Sequence, residues 1–290
     1  MSFLKAAFIA GYGLLALAST SWAQSEITLP RKDGKGEFKA LVFPLTGKMS
    51  VSVGVVGADI TKINGGENAP KVLAHDPESR LLLLDIPAAD GAILPSMGEG
   101  RTLLPGDALY TEPNKGGKTG RVVTWVSLFD QEYLPFAFLR VIFDKEVVEV
   151  GQPLYDESGK LVAIAHQATP GKGTSCYAVP VEVLQRVLGD VERDLPIRRC
   201  WVGCHLDAPN TFPKVVGIRP ESPASKAGLM KGDVLLQIGP RVLRNYDDVV
   251  NAFYYLLADE EVVFRVLRGL DIVKIKITPI ADPRYSLGKS

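Results

Sequence analysis

The amino-acid sequence predicts a mostly β protein with two folded domains. Between residues 38 and 164, short β-branched or alternating apolar runs are separated by Gly, Pro and Asn, without helical periodicity, which is typical of a β-barrel or a β-sandwich. The first helical pattern comes late, at residues 181–188, directly after Pro180. A second region with Gly and Pro turns follows from residue 200 and predicts a smaller domain.

The elements of the first domain follow from these runs in chain order, because each run is bounded by turn-forming residues. The predicted strands are residues 40–43, 50–56, 72–74, 81–86, 120–128, 136–143 and 161–165. The charged segment at 189–196 is bounded by Gly and Pro and is predicted to connect the domains. The predicted organisation is a signal segment at 1–23, a first domain at 24–189, a linker at 190–199 and a second domain at 200–282.

The composition is that of an ordinary globular protein. The chain has 290 residues, of which 46% are hydrophobic and 23% are charged, enough for two cores. Its 33 basic and 33 acidic residues give zero net charge, and no run of Lys or Arg stands out. A nucleic-acid partner or an anionic membrane surface therefore has no electrostatic support. The sequence also predicts no cofactor and no metal site.

The first 23 residues have the pattern of a secretory signal. Lys5 precedes an apolar core at residues 6–18, and the small residues Ser21 and Ala23 then predict cleavage before Gln24. An uncleaved anchor is the alternative, but thirteen apolar residues are short for a span of ~20. We therefore expect an exported protein, periplasmic or secreted, that keeps no membrane span after cleavage.

Three cysteines bear on this expectation, since an exported chain meets oxidising conditions. An odd number leaves at least one thiol without an intramolecular partner. Cys200 and Cys204 are too far apart in an extended strand to form a bridge. A bridge between Cys176 and Cys200 stays open beside the simpler interpretation that all three are small buried apolar residues.

Residues 148–154 read VEVGQPL and are followed by YDESGKLVAI. This stretch resembles the nucleophile turn of trypsin-like serine proteases of the HtrA type, which reads GNSGGPL. Alignment on Gly151 and Pro153 places Val150 where the family has its nucleophilic serine, and Val148 where it has an oxyanion-hole glycine. A valine side chain has no group that a base can activate. The resemblance therefore implies a trypsin-like double β-barrel, degenerate and shortened, without its nucleophile.

Other segments extend the resemblance. Residues 71–86, KVLAHDPESRLLLLDI, resemble the family's KVVGxDPxxDLALLKI, and this puts Arg80 at the place of the triad carboxylate. A guanidinium cannot accept a hydrogen bond and so cannot orient a histidine base. Residues 50–59, SVSVGVVGAD, put Gly54 at the place of the base. The segment 175–181, SCYAVPV, resembles the strand before the family's last helix.

Only three histidines are available to replace the missing base. His75 is expected in a surface loop, and His205 in a strand of the second domain. His166 is expected either at the edge of the old substrate cleft, in contact with a bound peptide, or as the cap of a strand end. The prediction is therefore no enzyme; the alternative is an active serine endopeptidase that uses displaced residues.

The second domain carries a more specific signal. Residues 220–238, PESPASKAGLMKGDVLLQI, resemble the PDZ pattern SPAxxAGLxxGDxIxxI. Ser222 can cap a short helix, Pro223 suits its first turn and Gly228 permits a left-handed exit. The segment 198–204, RRCWVGC, resembles the junction that opens the PDZ domain in the HtrA family. The fold prediction is thus a double barrel followed by one PDZ domain.

The PDZ resemblance implies a peptide groove between a strand and a helix. Backbone N–H groups of a loop would bind a terminal carboxylate, and the strand at 205–208 would accept an added β-strand. The helix is predicted at residues 247–257. The predicted peptide-binding residues are Trp201, Val202, Gly203, Cys204, His205, Leu206, Val250 and Phe253.

Together these features imply an exported, inactive HtrA-like protein that binds C-terminal or unfolded peptide segments. It would act as a scaffold, as a regulator of an active protease or as a chaperone-like binder. A third interpretation treats the first domain as a structural support for the PDZ domain. Whether an active protease or a second copy of this chain is a partner stays open.

Overall fold

The structure is a computed structural model that describes residues 25–65, 69–129, 132–145, 148–169, 173–193, 197, 199–207 and 212–283. The predicted signal segment and the cleavage site before Gln24 lie outside these residues. The described part of the chain is mostly β, as the sequence predicts. Among the described residues, no helix combines the length and the apolar character that a membrane span requires.

The first sheet contains five antiparallel strands in the order β1-β2-β3-β5-β4. A 3₁₀ helix at Ile60–Gly65 follows β3. Among the described residues this sheet is open, because β1 and β4 stay at its two edges, so the closed first barrel of the predicted double barrel is not formed there. The strands are β1 (Ser25–Pro30), β2 (Glu37–Pro44), β3 (Ser50–Val53), β4 (Val72–His75) and β5 (Leu81–Leu84).

The second sheet closes into a six-stranded barrel in the order β10-β11-β8-β7-β6-β9. Strands β7 and β8 form a long hairpin that extends beyond the barrel. Buried aliphatic and aromatic side chains such as Leu139, Leu154 and Val162 fill the interior. The strands are β6 (Ala108–Glu112), β7 (Gly116–Phe129), β8 (Glu132–Phe143), β9 (Pro153–Tyr155), β10 (Leu161–Ala168) and β11 (Ser175–Pro180).

Helix α1 (Val181–Glu192) packs its apolar side into the core below the barrel. It is longer than the sequence predicts, because it continues through Gly189 into the segment assigned to the connection. Asp190 explains the extension: it is buried and lies 3.1 Å from Arg186 and 3.4 Å from Arg193. These i,i+4 and i,i+3 pairs lie on one face of the last turn and stabilise it against the cost of the glycine.

The second domain has three small sheets and two helices. The four-stranded sheet has the order β16-β15-β17-β18, and β12–β19 and β13–β14 are two-stranded. The strands are β12 (Cys200–Trp201), β13 (Cys204–Leu206), β14 (Val215–Ile218), β15 (Val234–Ile238), β16 (Arg241–Val242), β17 (Val262–Arg268), β18 (Asp271–Ile277) and β19 (Ile280–Ala281). The helices are α2 (Pro223–Lys226) and α3 (Tyr246–Tyr254).

Local capping explains both helices. The Ser222 side chain accepts a hydrogen bond from the Ser225 N–H, so α2 begins at Pro223 as predicted. Helix α3 differs from the predicted 247–257. It begins earlier because the side chain of Asn245 accepts from the Asp248 N–H. It ends at Tyr254, although Leu256 beyond the helix is still buried in the domain core.

The two domains share a buried contact through Tyr254. Its ring packs against Phe136 of β8, with 4.7 Å between the ring centroids, and belongs to the core cluster of the first domain. Its hydroxyl donates to Asp76 Oδ2 at 2.7 Å, and its carbonyl accepts from Arg186 Nε at 3.2 Å. Because Tyr254 ends α3, this contact fixes the PDZ helix against the barrel.

All three cysteines are free thiols, so the bridge between Cys176 and Cys200 that the sequence left open is not formed. Cys176 is buried in the barrel core. Cys200 donates to the Leu256 carbonyl at 3.1 Å and lies in the second domain. Burial raises the pKa of all three thiols, to about 12 for Cys176 and about 11 for Cys200 and Cys204. They are therefore weak nucleophiles at neutral pH.

Candidate functional site

The turn that contains Val150 joins the two halves of the first domain. The Val150 carbonyl accepts from the Leu41 N–H of β2 at 2.8 Å, and its side chain packs against both cores. Gly151 has φ +85°, and a Cβ there would lie 2.2 Å from the Leu41 carbonyl oxygen. Only glycine tolerates both conditions. Position 151 of this turn is therefore restricted to glycine, and Val150, where the sequence predicts the place of a nucleophilic serine, directly precedes it.

Gly54 and Arg80 contact each other through their backbones. The Gly54 N–H donates to the Arg80 carbonyl at 2.7 Å. Arg80 has φ 58°, a left-handed conformation that is uncommon for a residue with a side chain. The turn between β4 and β5 thus brings the two sequence-predicted positions into contact.

The side chain of Arg80 reaches the second barrel, where it meets β10. Its Nε donates to His166 Nε2 at 2.8 Å, and its Nη2 lies 2.7 Å from His166 Nδ1. Nη2 also donates to Gln167 Oε1 at 2.7 Å. His166 is buried inside β10 and packs its ring 4.8 Å from that of Phe138. The expectation that it caps a strand end is therefore wrong, because the β10–β11 pairing continues past it to Ala168.

Burial controls the electrostatics of this pair. Burial, and then the neighbouring Arg80 charge, lowers the pKa of His166 from 6.5 to about 3. Burial also lowers the pKa of Arg80 from 12.5 to about 10. At neutral pH the histidine is therefore neutral and the arginine is charged. A histidine with so low a pKa is a weak general base, since efficient catalysis needs a pKa near the working pH.

Nothing described near this histidine resembles a nucleophile–base pair. Within the described ranges, no hydroxyl side chain is hydrogen-bonded to a histidine ring. The Ser52 hydroxyl donates to the Leu41 carbonyl, and that of Ser79 donates to Asp76. Val148, at the predicted oxyanion position, is buried in the barrel core.

The other two histidines lie apart from this centre. His75 ends β4 and is half-buried, so the expectation of a surface loop is wrong; its pairing with Leu82 of β5 draws it into the sheet. His205 is exposed on β13 of the second domain, as predicted. In the part of the chain that the structure describes, no cluster of His, Cys, Asp and Glu has the arrangement of a metal site.

The second domain has a groove between β13 and α3, with a cavity volume of about 430 Å³. Five of the eight predicted peptide-binding residues line it, whereas Trp201, Val202 and Gly203 do not. Val202 is instead buried in the domain core. The lining residues are Cys200, Cys204, His205, Leu206, Tyr246, Val249, Val250, Phe253 and Tyr254 from the second domain, with Pro135, Arg199 and Asp282 at the margin.

The loop before β13 has a defined backbone orientation. The Val202 carbonyl accepts from Ala224 of α2 and the Gly203 carbonyl accepts from Arg219, each at 2.8 Å. The peptide bonds of this loop are trans. The N–H of Gly203 therefore points away from Ala224, and the N–H of Cys204 points away from Arg219. The carbonyl of Gly203 points toward β14, and successive residues of a strand direct their backbone groups to alternate edges. Cys204 therefore directs its N–H to the edge of β13 that is opposite β14. That edge faces the groove.

Sequence reasoning missed three contributions to these sites. Gln167 and His166 were not connected with Arg80, because Arg80 and His166 are 86 positions apart and no local signal indicates their contact. Pro135 borders the PDZ groove although it belongs to the first domain. Tyr254 was not singled out, although an aromatic residue at the end of α3 is a signal of helix packing.

Comparisons with known proteins agree with this architecture. Residues 202–278 match the family model described as the PDZ domain. The whole fold is similar to the structure titled HtrA-type protease AlgW with tripeptide, with a TM-score of 0.62, 18% identity, and coverage of 90% of this chain and 94% of that one. A serine endoprotease from Yersinia pestis gives a TM-score of 0.53 at 17% identity, covering 89% and 94%. The chain therefore has the fold of HtrA-type proteases with a PDZ domain.

Curated relatives give the same picture at the sequence level. A probable periplasmic serine endoprotease DegP-like of Marinomonas sp. (strain MWYL1) is 27% identical over 251 residues, which are 78% of this chain and 53% of the relative. The protein of the same description from Hahella chejuensis (strain KCTC 2396) is 26% identical over 206 residues, 63% and 43% of the two chains. The chain thus spans about half the length of the curated relatives that it matches.

Proposed function

We propose that this chain is an exported, catalytically inactive HtrA-like homologue that binds the C-termini of other proteins through its PDZ groove. It acts as a scaffold, as a regulator of an active protease or as a chaperone-like binder, and each role uses the same groove. The observation that carries the proposal is the identity of the residues at the three predicted triad positions. Gly54 stands at the position of the base, Arg80 at that of the carboxylate and Val150 at that of the nucleophile, and none of these residues can serve in its role.

The chemistry of the centre supports inactivity beyond these substitutions. His166 is hydrogen-bonded to Arg80, a cation, in place of a carboxylate that would raise its basicity. Val148 fills the oxyanion position with an apolar side chain. Loss of the nucleophile alone costs roughly 10⁶ in rate in a protease where it was tested.

The first prediction concerns peptidase activity. The purified protein should not hydrolyse casein or a fluorogenic peptide, and a fluorophosphonate probe should not label it, because the centre has no activated hydroxyl. The measurement compares the wild type with an active trypsin-like protease as the positive control. Hydrolysis that the phosphonate abolishes, and that co-purifies with this chain, would favour the alternative of displaced catalytic residues.

The Val150→Ser variant extends this test. It restores only the nucleophile, so activity should stay at background because base, carboxylate and oxyanion glycine are still missing. Measurable turnover by this variant would show that another residue of this chain activates the introduced serine. That result would contradict the inactive assignment of the centre.

The groove supports the binding part of the proposal. An extended peptide can add to the open edge of β13, and its carboxylate can accept from the N–H groups of the loop. Val250 and Phe253 provide an apolar wall for the last side chain. A short peptide buries little surface and loses entropy on ordering, so we expect affinities of about 1 μM, equivalent to ~8 kcal/mol.

The second prediction separates the carboxylate from the apolar wall. Amidation of the peptide C-terminus should weaken binding tenfold or more, ~1.4 kcal/mol, because it removes the charged acceptor. The Phe253→Ala variant should weaken free-acid and amide peptides alike, since it only reduces the wall. Isothermal titration calorimetry on the four pairs is the measurement. Equal affinities for acid and amide on the wild type would refute C-terminal recognition.

A further inference from the structure

Arg80 is a half-buried cation without a carboxylate partner among the residues that the structure describes. Its Nε donates to Nε2 of the neutral His166, and its Nη2 donates to the neutral amide oxygen of Gln167 and lies 2.7 Å from the other ring nitrogen of His166. None of these bonds uses Nη1. A charge removed from water without an opposite charge is costly, and an anion that approaches the guanidinium lowers that cost.

An apolar cavity of about 160 Å³ is separated from this cation by the side chains of His166 and Gln167, which line the cavity and contact Arg80. Its walls include Leu134 and Phe138 of β8 and Tyr177 of β11, and the same His166 and Gln167 that bond Arg80. The rim carries Phe129, which is 51% exposed at the end of β7. Cavities of about 150 Å³ with apolar walls can hold a benzene ring.

We propose that Arg80 and this cavity form a second ligand site, which binds a carboxylate attached to a phenyl-sized apolar group. The guanidinium is the natural partner of a carboxylate because its planar N–H groups match the two oxygens. The apolar group of the ligand enters the cavity. Hydrogen bonds to His166 and Gln167 fix the position of the Arg80 guanidinium, which binds the carboxylate of the ligand. The site lies in the first domain and is separate from the PDZ groove.

This arrangement defines the ligand by its chemistry. Phosphate or sulfate satisfies the cation but leaves the apolar walls unused, and an uncharged aromatic compound leaves Arg80 unpaired. A monocarboxylate with one aromatic or branched apolar group satisfies both features. The C-terminal residue of a peptide and a free aryl-alkanoic acid share this chemistry, and N-acetyl-phenylalanine and 3-phenylpropionate represent the two sources.

The experiment titrates both acids, and the amide of each, into the full chain by NMR, with the His166 ring signals as the local readout. The acids should bind with a Kd of about 1 mM, and the amides at least tenfold more weakly. Tighter binding of N-acetyl-phenylalanine identifies a peptide terminus as the source, and equal or tighter binding of 3-phenylpropionate identifies a free acid. Amides that bind as well as the acids would overturn the proposal.

Variants at the site and at an exposed position of the second domain provide the controls. Gln167→Glu places a carboxylate beside Arg80 Nη2 at an exposed position, so it should fold normally and compete with the ligand, weakening binding tenfold or more. Arg80→Gln should abolish the preference for acids over amides. Leu270→Ala, at a 98% exposed position between β17 and β18, should leave the acid affinity unchanged. The proposal fails if Gln167→Glu binds like the wild type, or if the acids shift the ring signals of His205 in the PDZ groove and leave those of His166 unchanged.

Discussion

The Asp76→Ala variant is expected to lose about 3–5 kcal/mol of the free energy of unfolding. Asp76 is buried in the turn between β4 and β5. Its Oδ2 accepts from Ser79 N at 3.2 Å, from Ser79 Oγ at 2.6 Å and from the Tyr254 hydroxyl at 2.7 Å. Alanine removes all three acceptor contacts at once. The buried Tyr254 hydroxyl would then have lost its partner, which adds a desolvation penalty.

Comparison variants identify the source of this loss. Tyr254→Phe removes one hydrogen bond to a charged group and should cost about 1.5–3 kcal/mol. Glu78→Ala lies in the same turn, but its ion pair with Arg199 is partly exposed, so it should cost at most about 1 kcal/mol. Urea denaturation followed by tryptophan fluorescence measures all of them. A loss below 1 kcal/mol for Asp76→Ala would show that this contact does not stabilise the domain junction.

The hydrogen bond between Asp76 and Tyr254 also helps to fix the position of α3, which forms one wall of the PDZ groove. Tyr254 ends α3, the helix that contributes Val250 and Phe253 to the groove. The same helix is tied to the β7–β8 hairpin, because the Ser127 hydroxyl donates to Asp247 and the ring of Tyr133 contacts that of Tyr246. One wall of the groove is therefore supported by the first domain. This support is why the margin of the groove includes Pro135.

Local patterns in the sequence predicted the elements well. The strands predicted at 81–86 and 161–165 begin at the same residues as β5 and β10, and Ser222 caps α2 as its position before Pro223 implies. Both depend on residues that are close in sequence, where periodicity and capping rules apply. The same rules placed the predicted bounds of α1 and α3 wrongly. In α1 a glycine was taken as a stop, but the Asp190 ion pairs carry the helix past it.

Long-range partners in the sites could not be predicted in this way. The prediction that Arg80 stands at a triad position came from a motif, whereas its contact with His166 depends on how the sheet packs against the barrel. Tyr254 and Asp76 are 178 residues apart and belong to different domains. Hydrophobic periodicity shows that a residue faces a core but does not identify which side chain it meets there.

The stability of the protein is expected to fall as the pH decreases below 6.5, with His166 as a main cause. The pKa of this histidine is about 3 in the folded protein, against about 6.5 when it is exposed. Between these values the unfolded chain binds a proton that the folded protein does not, so unfolding is favoured as the pH falls. Each unit by which the pH falls within this window lowers the free energy of unfolding by up to ~1.4 kcal/mol. The loss from this residue should therefore reach about 2 kcal/mol at pH 5.

His166→Gln isolates this contribution, because glutamine keeps an acceptor for Arg80 and does not titrate. Its free energy of unfolding should fall less than that of the wild type between pH 7 and pH 5, by about 2 kcal/mol. His75→Gln is the matched control: burial lowers the pKa of His75 too, but that residue is only half-buried and lacks the neighbouring Arg80 charge. Its pH profile should therefore stay closer to that of the wild type. Urea titrations at pH 5, 6 and 7 measure these differences, and parallel profiles for wild type and His166→Gln would contradict a neutral, buried His166 held by Arg80.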